Sequence, residues 1–494
     1  MRITDGLAAR ARLAPHAEAL LTPSRSLDCA ALEALVRAGC ARLAREGVAP
    51  DDVVGVCCLD PARHVLATLA LARLGVPQIS LPPTEPPGTR AAFARRLRLA
   101  AIVGDCAQAS DAGVPVMAAD DAWFEPGGAP DGAALDVRDP SRTLFVSNSS
   151  GTTGEPKFAR LSHAAGLARI ERDRVRGFWR EGERFLSLVP VQYRLPTQRV
   201  AFSLDAGACL CVPDASHGLG RMLELIERWR VRVVCASVVD AVRLARAVGG
   251  AREPFASVRI LQVEGSSAGE EVRRYVRSQL CERLYVNYGS NEAGPIAIAS
   301  PDDQDRYPGT VGPPAHGLRL QVVDASGRPL PPGEIGEIRL QGASLIDGYV
   351  EDAAANARAF RDGWFHQGDL GSLNDFGRLF LHGRVDDMMV FDGINIYPAE
   401  IERALLAHPL VEDAVAFPIR SPIHQDVPGA AIVVRAPVDD DALFAHCRAL
   451  IGVKTPRALL RLPRLPRDAM GKVATGEFAD TLARRLAGSP PGGA

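Results

Sequence analysis

Residues 147–157 combine the side chains and glycines that bind phosphate groups. The segment reads Ser-Asn-Ser-Ser-Gly-Thr-Thr-Gly-Glu-Pro-Lys and follows a short apolar run, 143–146. Backbone N–H groups and hydroxyls of such a loop bind phosphate oxygens, glycines let the main chain approach closely, and Lys157 supplies a positive charge. A Walker A loop is excluded because Pro156 precedes the lysine and Phe158 follows it. The segment therefore predicts a phosphate-binding loop of another type, with a flexible surface loop as the alternative.

Five further motifs follow this loop along the chain. They are Tyr288-Gly-Ser-Asn-Glu292, Gly336-Glu-Ile to Gly348-Tyr349, Trp364-Phe-His-Gln-Gly-Asp369, Gly383-Arg-Val-Asp-Asp387 through Glu402, and Gly471-Lys472. In this order, and together with the loop, they resemble the adenylate-forming superfamily, which includes acyl- and aryl-CoA synthetases, peptide-synthetase adenylation domains and firefly luciferase. The resemblance covers 147–472, and a weaker similarity reaches back to 32–82.

The resemblance implies a reaction in two steps that uses ATP and Mg²⁺. A small-molecule carboxylic acid attacks the α-phosphate and expels pyrophosphate, and the acyl-adenylate then transfers its acyl group to a thiol. Positioned cations and donors are needed because negative charge builds on the phosphoryl oxygens. The preferred acceptor is CoA. The phosphopantetheine of an acyl carrier protein is one alternative, and a non-catalytic protein that binds nucleotide or a partner is another.

The same resemblance implies a role for individual residues. The β- and γ-phosphates are held by Ser149, Ser150, Gly151, Thr152, Thr153, Gly154 and Lys157. The adenosine is bound by Gly265, Ser266, Ser267, Tyr288, Gly289, Ser290, Asp369 and Arg384, with Tyr288 stacking on adenine and Asp369 accepting from the ribose hydroxyls. Glu292 binds Mg²⁺, Lys472 bridges the carboxylate and the α-phosphate during adenylation, and Asp386 is the hinge of a mobile lid.

The sequence departs from the family pattern at three places, two near the phosphates and one around the acid pocket. Phe158 replaces a glycine, and Asn291 replaces a threonine that usually bonds phosphate, although its amide can still donate. The segment 190–199 lacks the aspartate that amino-acid-activating relatives use, which argues against an α-amino acid. Because this segment replaces the one that surrounds the acyl pocket in the family, the resemblance implies Tyr193 and Arg194 as pocket residues. Arg194 or Arg199 pairs either with a second anionic group of the substrate or in a surface or interdomain ion pair.

The apolar pattern predicts the elements that position these residues. Short apolar runs alternate with helical stretches as far as residue 317, which favours βαβ units and a parallel sheet. A hairpin is expected at 318–340, and His163 is expected to cap the helix that follows the loop. The predicted fold is α/β, with a large multi-sheet N-terminal domain (1–384) and a small, mobile C-terminal α+β lid (385–494).

Composition excludes several other classes of protein. The chain has 494 residues, a net charge of −2 and ten scattered cysteines. This charge gives no attraction to nucleic acid or an anionic membrane, and no apolar run reaches the ~18–20 residues of a membrane span. With no export signal recognised, the cysteines are expected to be buried thiols in a reducing cytoplasm rather than zinc ligands. The basic stretch 448–472 is either a solvated face or a docking surface for CoA phosphates or a carrier protein. Oligomeric state and the identity of the acid stay open.

Overall fold

The computed structural model describes residues 3–125, 139–149, 157–214, 218–250, 253–265, 268–385, 387–391, 394–421, 425–467 and 473–488. The chain divides into two compact units, Met1–Arg319 with Gln341–Gly363, and Leu320–Leu340 with Trp364–Ala494. The predicted α/β fold, with a large multi-sheet N-terminal part and a smaller C-terminal part, is confirmed. The boundary at 384/385 and the mobility of the lid stay predictions.

The helices have the following bounds: α1 Asp5–Leu13, α2 Cys29–Arg45, α3 Pro61–Leu74, α4 Pro87–Leu97, α5 His163–Arg176, α6 Arg194–Asp205, α7 Leu219–Arg228, α8 Val238–Val248, α9 Glu270–Gln279, α10 Pro301–Arg306, α11 Ala353–Ala359, α12 Pro398–Leu406, α13 Asp440–Ile451 and α14 Gly476–Gly488. Short 3-10 turns lie at Ala107–Ala112, Asp121–Phe124, Glu253–Phe255 and Gly452–Lys454.

The strands have these bounds: β1 Glu18–Leu21, β2 Ser26–Asp28, β3 Val54–Cys57, β4 Gln78–Ser80, β5 Ala101–Gly104, β6 Val116–Ala118, β7 Thr143–Ser149, β8 Lys157–Ser162, β9 Arg184–Ser187, β10 Cys209–Cys211, β11 Val233–Ser237, β12 Ile260–Glu264, β13 Leu284–Ser290, β14 Gly294–Ala299, β15 Arg319–Val323, β16 Gly336–Gln341, β17 Gly348–Tyr349, β18 Phe360–Arg361, β19 Trp364–Leu373, β20 Leu379–Arg384, β21 Met389–Phe391, β22 Ile394–Ile396, β23 Val411–Ser421, β24 Gln425–Val434 and β25 Ala458–Arg461.

The first unit is built on two largely parallel sheets. One has the order β14-β13-β12-β11-β9-β10-β1-β2, and the other has the order β17-β8-β7-β4-β3-β5-β6. In the first sheet, Val234, Leu261 and Val286 pack against α7, α8 and α9 in one hydrophobic core. Strands buried in this way read as short apolar runs, which is why the sequence pattern predicted βαβ units correctly.

The phosphate loop connects two antiparallel strands, β7 and β8, in which Ser149 pairs with Lys157. The sequence predicted the strand before the loop and the helix after it, but not β8 between them. His163 is the first residue of α5 rather than its cap. The Ser162 hydroxyl caps this helix instead, since it accepts from the backbone N–H of Ala165 at 3.3 Å.

The second unit contains two sheets of its own. In one, β15, β16, β19 and β20 lie side by side in that order. In the other, the order is β22-β21-β24-β23, with β25 beside β24. One face of this second sheet packs against α12 and α13, and the other packs against α14. The helices and strands predicted between 399 and 450 are therefore present, and β23 and β24 are longer than predicted.

Three features of the described segments bear on the predictions from composition. All ten cysteines lie in these segments as free thiols, and eight of them are buried, as predicted. No helix among the described residues combines the length and apolarity needed to cross a bilayer. No three His, Cys, Asp or Glu side chains of these segments are grouped so that they could hold a metal ion among themselves.

Candidate active site

A tight turn joins β13 to β14 and carries the motif 288–292. Gly289 pairs with Pro295 and Ser290 pairs with Gly294. A Cβ atom on Gly289 would lie 2.5 Å from the carbonyl oxygen of Gly294, and Gly294 itself has a φ of +68°. Both positions therefore require glycine. The Ser290 hydroxyl accepts from the N–H of Ala293 at 3.2 Å, so its side chain stabilises the turn.

Glu292 places a buried carboxylate on this turn. The residue is 8% exposed, and its Oε1 accepts from the hydroxyl of Tyr349 at 3.2 Å. Within the described segments, no other side-chain hydrogen bond and no ion pair reaches this carboxylate. A buried negative charge needs a cation or several donors, and one tyrosine hydroxyl supplies neither. The carboxylate therefore fits a cation-binding role, as predicted for Mg²⁺, which commonly combines one carboxylate with phosphate oxygens.

Tyr349 links Glu292 to Lys157. The Lys157 ammonium lies 5.7 Å from the centroid of the Tyr349 ring, within the range of a cation–π contact. The Asn356 amide fixes the tyrosine because its Oδ1 accepts from the Tyr349 N–H at 2.7 Å and its Nδ2 donates to the Tyr349 carbonyl at 2.9 Å. The structure thus brings together two predicted site residues through a tyrosine that the motif contained but to which no role was assigned.

Asn291 connects the same turn to the phosphate loop. Its Nδ2 donates to the carbonyl oxygen of Asn148 in β7 at 2.9 Å. The amide can donate, as the sequence suggested, but in this structure its donor is directed to the main chain beside the loop. Asn291 therefore positions the loop strand relative to Glu292.

Two buried arginines of α5 hold the turn from within the unit. Arg169 donates to the carbonyl of Glu292 at 2.9 Å and to that of Ser344 at 2.9 Å, and Arg172 donates to that of Ala293 at 3.3 Å. Burial lowers the pKa of Arg172 to about 10, which leaves it positively charged at neutral pH. Sequence reasoning missed both residues. Their spacing of three on one helix face was the available signal, but it equally fits a solvated surface.

The remaining predicted residues of the first unit lie after β12, within β13 and before α6. Gly265 follows β12 directly and has a φ of +94°, which only glycine adopts without strain. Tyr288 is half-buried in β13 and pairs with Ala297. Tyr193 precedes α6, and its hydroxyl lies 3.4 Å from Oγ1 of Thr84.

Some of the predicted residues are not fully described. Ser149 and Arg194 have a described backbone, in β7 and at the start of α6, but not a described side chain. The following lie outside the described residues: Ser150, Gly151, Thr152, Thr153, Gly154, Ser266, Ser267, Asp386 and Lys472.

Arg199 corrects one expectation from the sequence. It forms an ion pair with Glu264, as one of the two readings proposed, but the pair is neither at the surface nor between domains. Nη2 lies 2.5 Å from Oε2 of Glu264, and the two side chains are only 5% and 8% exposed, both within the first unit. The periodicity of 190–199 could not show this because the partner lies 65 residues away.

In the second unit, Asp369 and Arg384 lie together as register partners of β19 and β20. Arg384 Nη1 donates to Oδ1 of Asp369 at 2.9 Å, and the Gln367 amide also donates to this carboxylate. Arg384 Nη2 donates to the carbonyl of Gln367 at 3.2 Å. The structure therefore places side by side the two residues that the resemblance assigned to ribose, and it shows that the carboxylate already has donors.

Several cations of the basic stretch 448–472 are ion-paired within the second unit. Lys454 pairs with Glu400 at 2.8 Å, Arg461 pairs with Asp440 at 2.5 Å, and Arg467 pairs with Asp413 at 2.7 Å. Pairing neutralises much of the local charge that a docking surface for phosphates would need. These contacts favour a structural reading of the stretch.

The fold and the motif series define the class of adenylate-forming enzymes. The chain belongs to the AMP-binding enzyme family: the model of that family matches residues 7–350, and the model of the AMP-binding enzyme C-terminal domain matches residues 400–472. The second match covers part of the predicted lid and ends at the predicted catalytic lysine, Lys472.

Individual relatives agree with this assignment. 4-Coumarate–CoA ligase 2 from Oryza sativa subsp. japonica is 30% identical over 371 residues, which are 71% of this chain and 63% of the ligase. The amide bond synthetase McbA from Marinactinospora thermotolerans has a TM-score of 0.87 at 25% identity, covering 97% of this chain and 99% of the synthetase. The o-succinylbenzoate coenzyme A synthetase MenE from Bacillus subtilis, in complex with ATP and magnesium ion, has a TM-score of 0.84 at 25% identity, covering 95% and 98%.

Proposed function

We propose that the protein is an AMP-forming acid–thiol ligase that activates a carboxylic acid with ATP and transfers the acyl group to CoA. The observation that carries this proposal is the Glu292 carboxylate, which is buried on a tight turn and, among the described residues, accepts a side-chain hydrogen bond from one neutral group, the Tyr349 hydroxyl. A carboxylate kept in this state fits Mg²⁺, which when bound neutralises phosphate oxygens. Lys157, whose ammonium lies over the Tyr349 ring, fits the phosphates that Mg²⁺ accompanies.

The proposed reaction consists of two successive nucleophilic displacements. In the first, a carboxylate oxygen forms a bond to the α-phosphorus and the bond from that phosphorus to the pyrophosphate oxygen breaks. In the second, a thiolate attacks the acyl carbon and AMP leaves with the oxygen that had joined acyl carbon and phosphorus. From the resemblance, Lys157 and the loop hold the outer phosphates, Asp369 accepts from ribose, and Lys472 stabilises the α-phosphate charge.

CoA is the favoured acceptor because the 4-coumarate relative is named as a CoA ligase. A carrier-protein thiol stays a second candidate from the resemblance, although the ion pairs of the basic stretch do not favour docking there. An amine is a third, because one structural relative that matches 97% of this chain is an amide bond synthetase. A cytoplasmic location, with buried free thiols kept reduced, is part of the same proposal.

The test is acid-dependent exchange of labelled pyrophosphate into ATP, run on the purified chain with a panel of carboxylic acids. We expect exchange with at least one acid and, after CoA is added, stoichiometric AMP and acyl-CoA. Lys472→Ala should lower exchange by about 10²–10³-fold while ATP binding is retained, since it removes one donor to developing charge. A folded wild-type chain that binds ATP but exchanges with no acid would show that the protein is a nucleotide-binding protein instead.

The acceptor is decided in a second assay on the acid that supports exchange. CoA, a phosphopantetheinylated carrier protein and a primary amine are offered separately at equal concentration, and the acylated product is measured. If turnover is faster with the carrier protein or with the amine than with CoA, that compound is the acceptor. The proposed adenylation step is not affected by this outcome.

A further inference from the structure

A cluster of buried polar side chains lies along β11, β12 and β13, in the middle of these strands and at the carboxyl end of β12. We call it the amide cluster, and it consists of Cys235, Gln262, Glu264, Asn287 and Arg199 of α6. Gln262 and Glu264 alternate with Val263, which packs into the hydrophobic core with α7, α8 and α9. The polar residues therefore point to the opposite face of the sheet.

The cluster lies beside the predicted site along three of its four contributing elements, β12, β13 and α6. Glu264 is followed directly by Gly265, Asn287 is followed directly by Tyr288, and α6 with Arg199 begins after Tyr193. Parallel α/β sheets bind their ligands at the carboxyl ends of the strands. These neighbours place the amide cluster next to residues expected to bind adenosine and acid.

The ionic part of the cluster is already paired. Arg199 Nη1 and Nη2 donate to Oε1 and Oε2 of Glu264 at 2.9 and 2.5 Å, in the bidentate geometry that suits guanidinium and carboxylate. The charges compensate each other. A second anionic group of the substrate would have to displace Glu264 from Arg199, so this pair does not favour a dicarboxylic acid.

The carboxylate also fixes the orientation of both amides. Asn287 Nδ2 donates to Glu264 Oε2 at 3.4 Å and to Gln262 Oε1 at 3.5 Å. Because a carboxylate only accepts, the amide nitrogen of Asn287 must face it, and the oxygen of Gln262 must face that nitrogen. Asn287 Oδ1 and Gln262 Nε2 are left over. Both atoms are buried, and neither has a partner among the residues that the structure describes.

We propose that Asn287 Oδ1 and Gln262 Nε2 bind a hydroxyl group of the acid substrate, so that the enzyme selects hydroxylated carboxylic acids. The inference rests on the proposed function and names the substrate class of that site. A hydroxyl donates one hydrogen bond and accepts another, which satisfies both atoms. A hydrocarbon satisfies neither, a carboxylate is repelled by the oxygens of Asn287 and Glu264, and an ammonium group cannot accept from Gln262.

The test compares pairs of acids that differ by one hydroxyl group. Aromatic and aliphatic acids are each assayed by pyrophosphate exchange with their hydroxylated analogues and with analogues carrying a second carboxylate. We expect the best hydroxylated acid to exceed its unsubstituted partner in kcat/KM by about 10²-fold or more, because a site built for a hydroxyl rejects the analogue that leaves its polar groups unpaired.

Two variants assign this preference to the cluster. Gln262→Met removes the free donor and leaves the partners of Glu264 in place, and Asn287→Leu removes the free acceptor. Each should lower the preference for the hydroxyl to less than about tenfold while exchange with the unsubstituted acid is retained. Gln304→Leu is the matched control, since Gln304 is a buried glutamine that donates to the carbonyl of Leu284 at the other end of β13. It should leave the preference unchanged.

The outcomes separate this inference from the proposed function. Exchange with unsubstituted or dicarboxylic acids at least as fast as with hydroxylated ones overturns the hydroxyl site and leaves the ligase intact. Absence of exchange with every acid overturns the ligase itself. If one variant does not fold, the proposal is tested by the preference of the wild-type enzyme and by the other variant. If the preference for hydroxylated acids is unchanged in Gln262→Met and Asn287→Leu, it comes from other residues and the proposal is wrong.

Discussion

Glu292 and Asp369 are two carboxylates of nearly equal burial, 8% and 9% exposed, that have opposite surroundings. Glu292 lies on a glycine-dependent turn of the first unit, and its carboxylate accepts from one tyrosine hydroxyl. Asp369 lies in β19 of the second unit, and its carboxylate accepts from the Arg384 guanidinium and the Gln367 amide. The first has no cation within the described segments, whereas the second has one at 2.9 Å.

This difference indicates which ligand each carboxylate can bind. A buried carboxylate without a cation gains most from a metal ion, because the metal supplies the charge that the protein withholds. A carboxylate already paired with arginine gains little from more charge, but it can exchange an amide donor for hydroxyl donors at small cost. The comparison supports Mg²⁺ at Glu292 and ribose at Asp369, as the resemblance implied.

The largest effect is expected for Glu292→Gln. Removing the charge should lower the adenylation rate by about 10²–10³-fold, the usual loss when one group that stabilises developing phosphate charge is removed. Excess Mg²⁺ should relieve part of the loss, because the missing ligand belongs to the metal. Pyrophosphate exchange is measured against Mg²⁺ concentration, with Glu171→Gln, an exposed glutamate of α5, as the control. An unchanged Mg²⁺ requirement would contradict the metal role.

Asp369→Ala should weaken ATP binding without changing the Mg²⁺ requirement. Loss of charge-assisted hydrogen bonds to ribose corresponds to roughly 2–3 kcal/mol, or about 30- to 150-fold in Kd. Titration calorimetry with ATP measures the change, and Asp375→Ala, at an exposed position between β19 and β20, is the control. If excess Mg²⁺ restores Asp369→Ala but not Glu292→Gln, the two roles are reversed.

Tyr349→Phe should have a smaller effect of the same type as Glu292→Gln. It deletes the hydroxyl that donates to Glu292 and keeps the ring beside Lys157, so it removes this hydrogen bond to a charged group. Such a bond contributes about 1.5 kcal/mol or more, which predicts roughly a tenfold rise in the Mg²⁺ concentration for half-maximal exchange. Tyr275→Phe, an exposed tyrosine of α9, is the control. A fall in rate at every Mg²⁺ concentration would assign Tyr349 another role.

The sequence predicted the fold class and the residues that lie within one turn or one strand of each other. The turn 288–292 and the segment 364–369 are local, so the resemblance of each motif to the family pattern was enough to assign their residues. β8 escaped prediction because its six residues place buried side chains at 158, 159, 161 and 162, which breaks the alternation expected of a strand. The α/β pattern of the surrounding sequence was nevertheless clear enough to predict the fold class correctly.

Contacts between distant parts of the chain could not be predicted from one sequence. Arg169 bonds the carbonyl of Glu292 across 123 positions, and Arg199 pairs with Glu264 across 65. A buried arginine is rare unless its donors are satisfied. Arg169 is satisfied by carbonyls that any residue type supplies, and Arg199 by a carboxylate that is distant in the sequence. Nothing in the local pattern distinguishes these arginines from solvated ones, so they were missed or assigned to the surface.

The smallest effect is expected for Arg384→Gln, which removes the cation from Asp369 and makes its surroundings more like those of Glu292. The Arg384 side chain is 39% exposed, so its ion pair should contribute only about 0.2–1 kcal/mol, or up to about fivefold in ATP affinity. Arg378→Gln, just before β20, is the control. If the arginine acts only through the carboxylate, the double variant with Asp369→Ala should bind ATP no more weakly than Asp369→Ala alone. An additive loss, or a loss in Arg384→Gln as large as that in Asp369→Ala, would make the arginine an independent contact to the nucleotide.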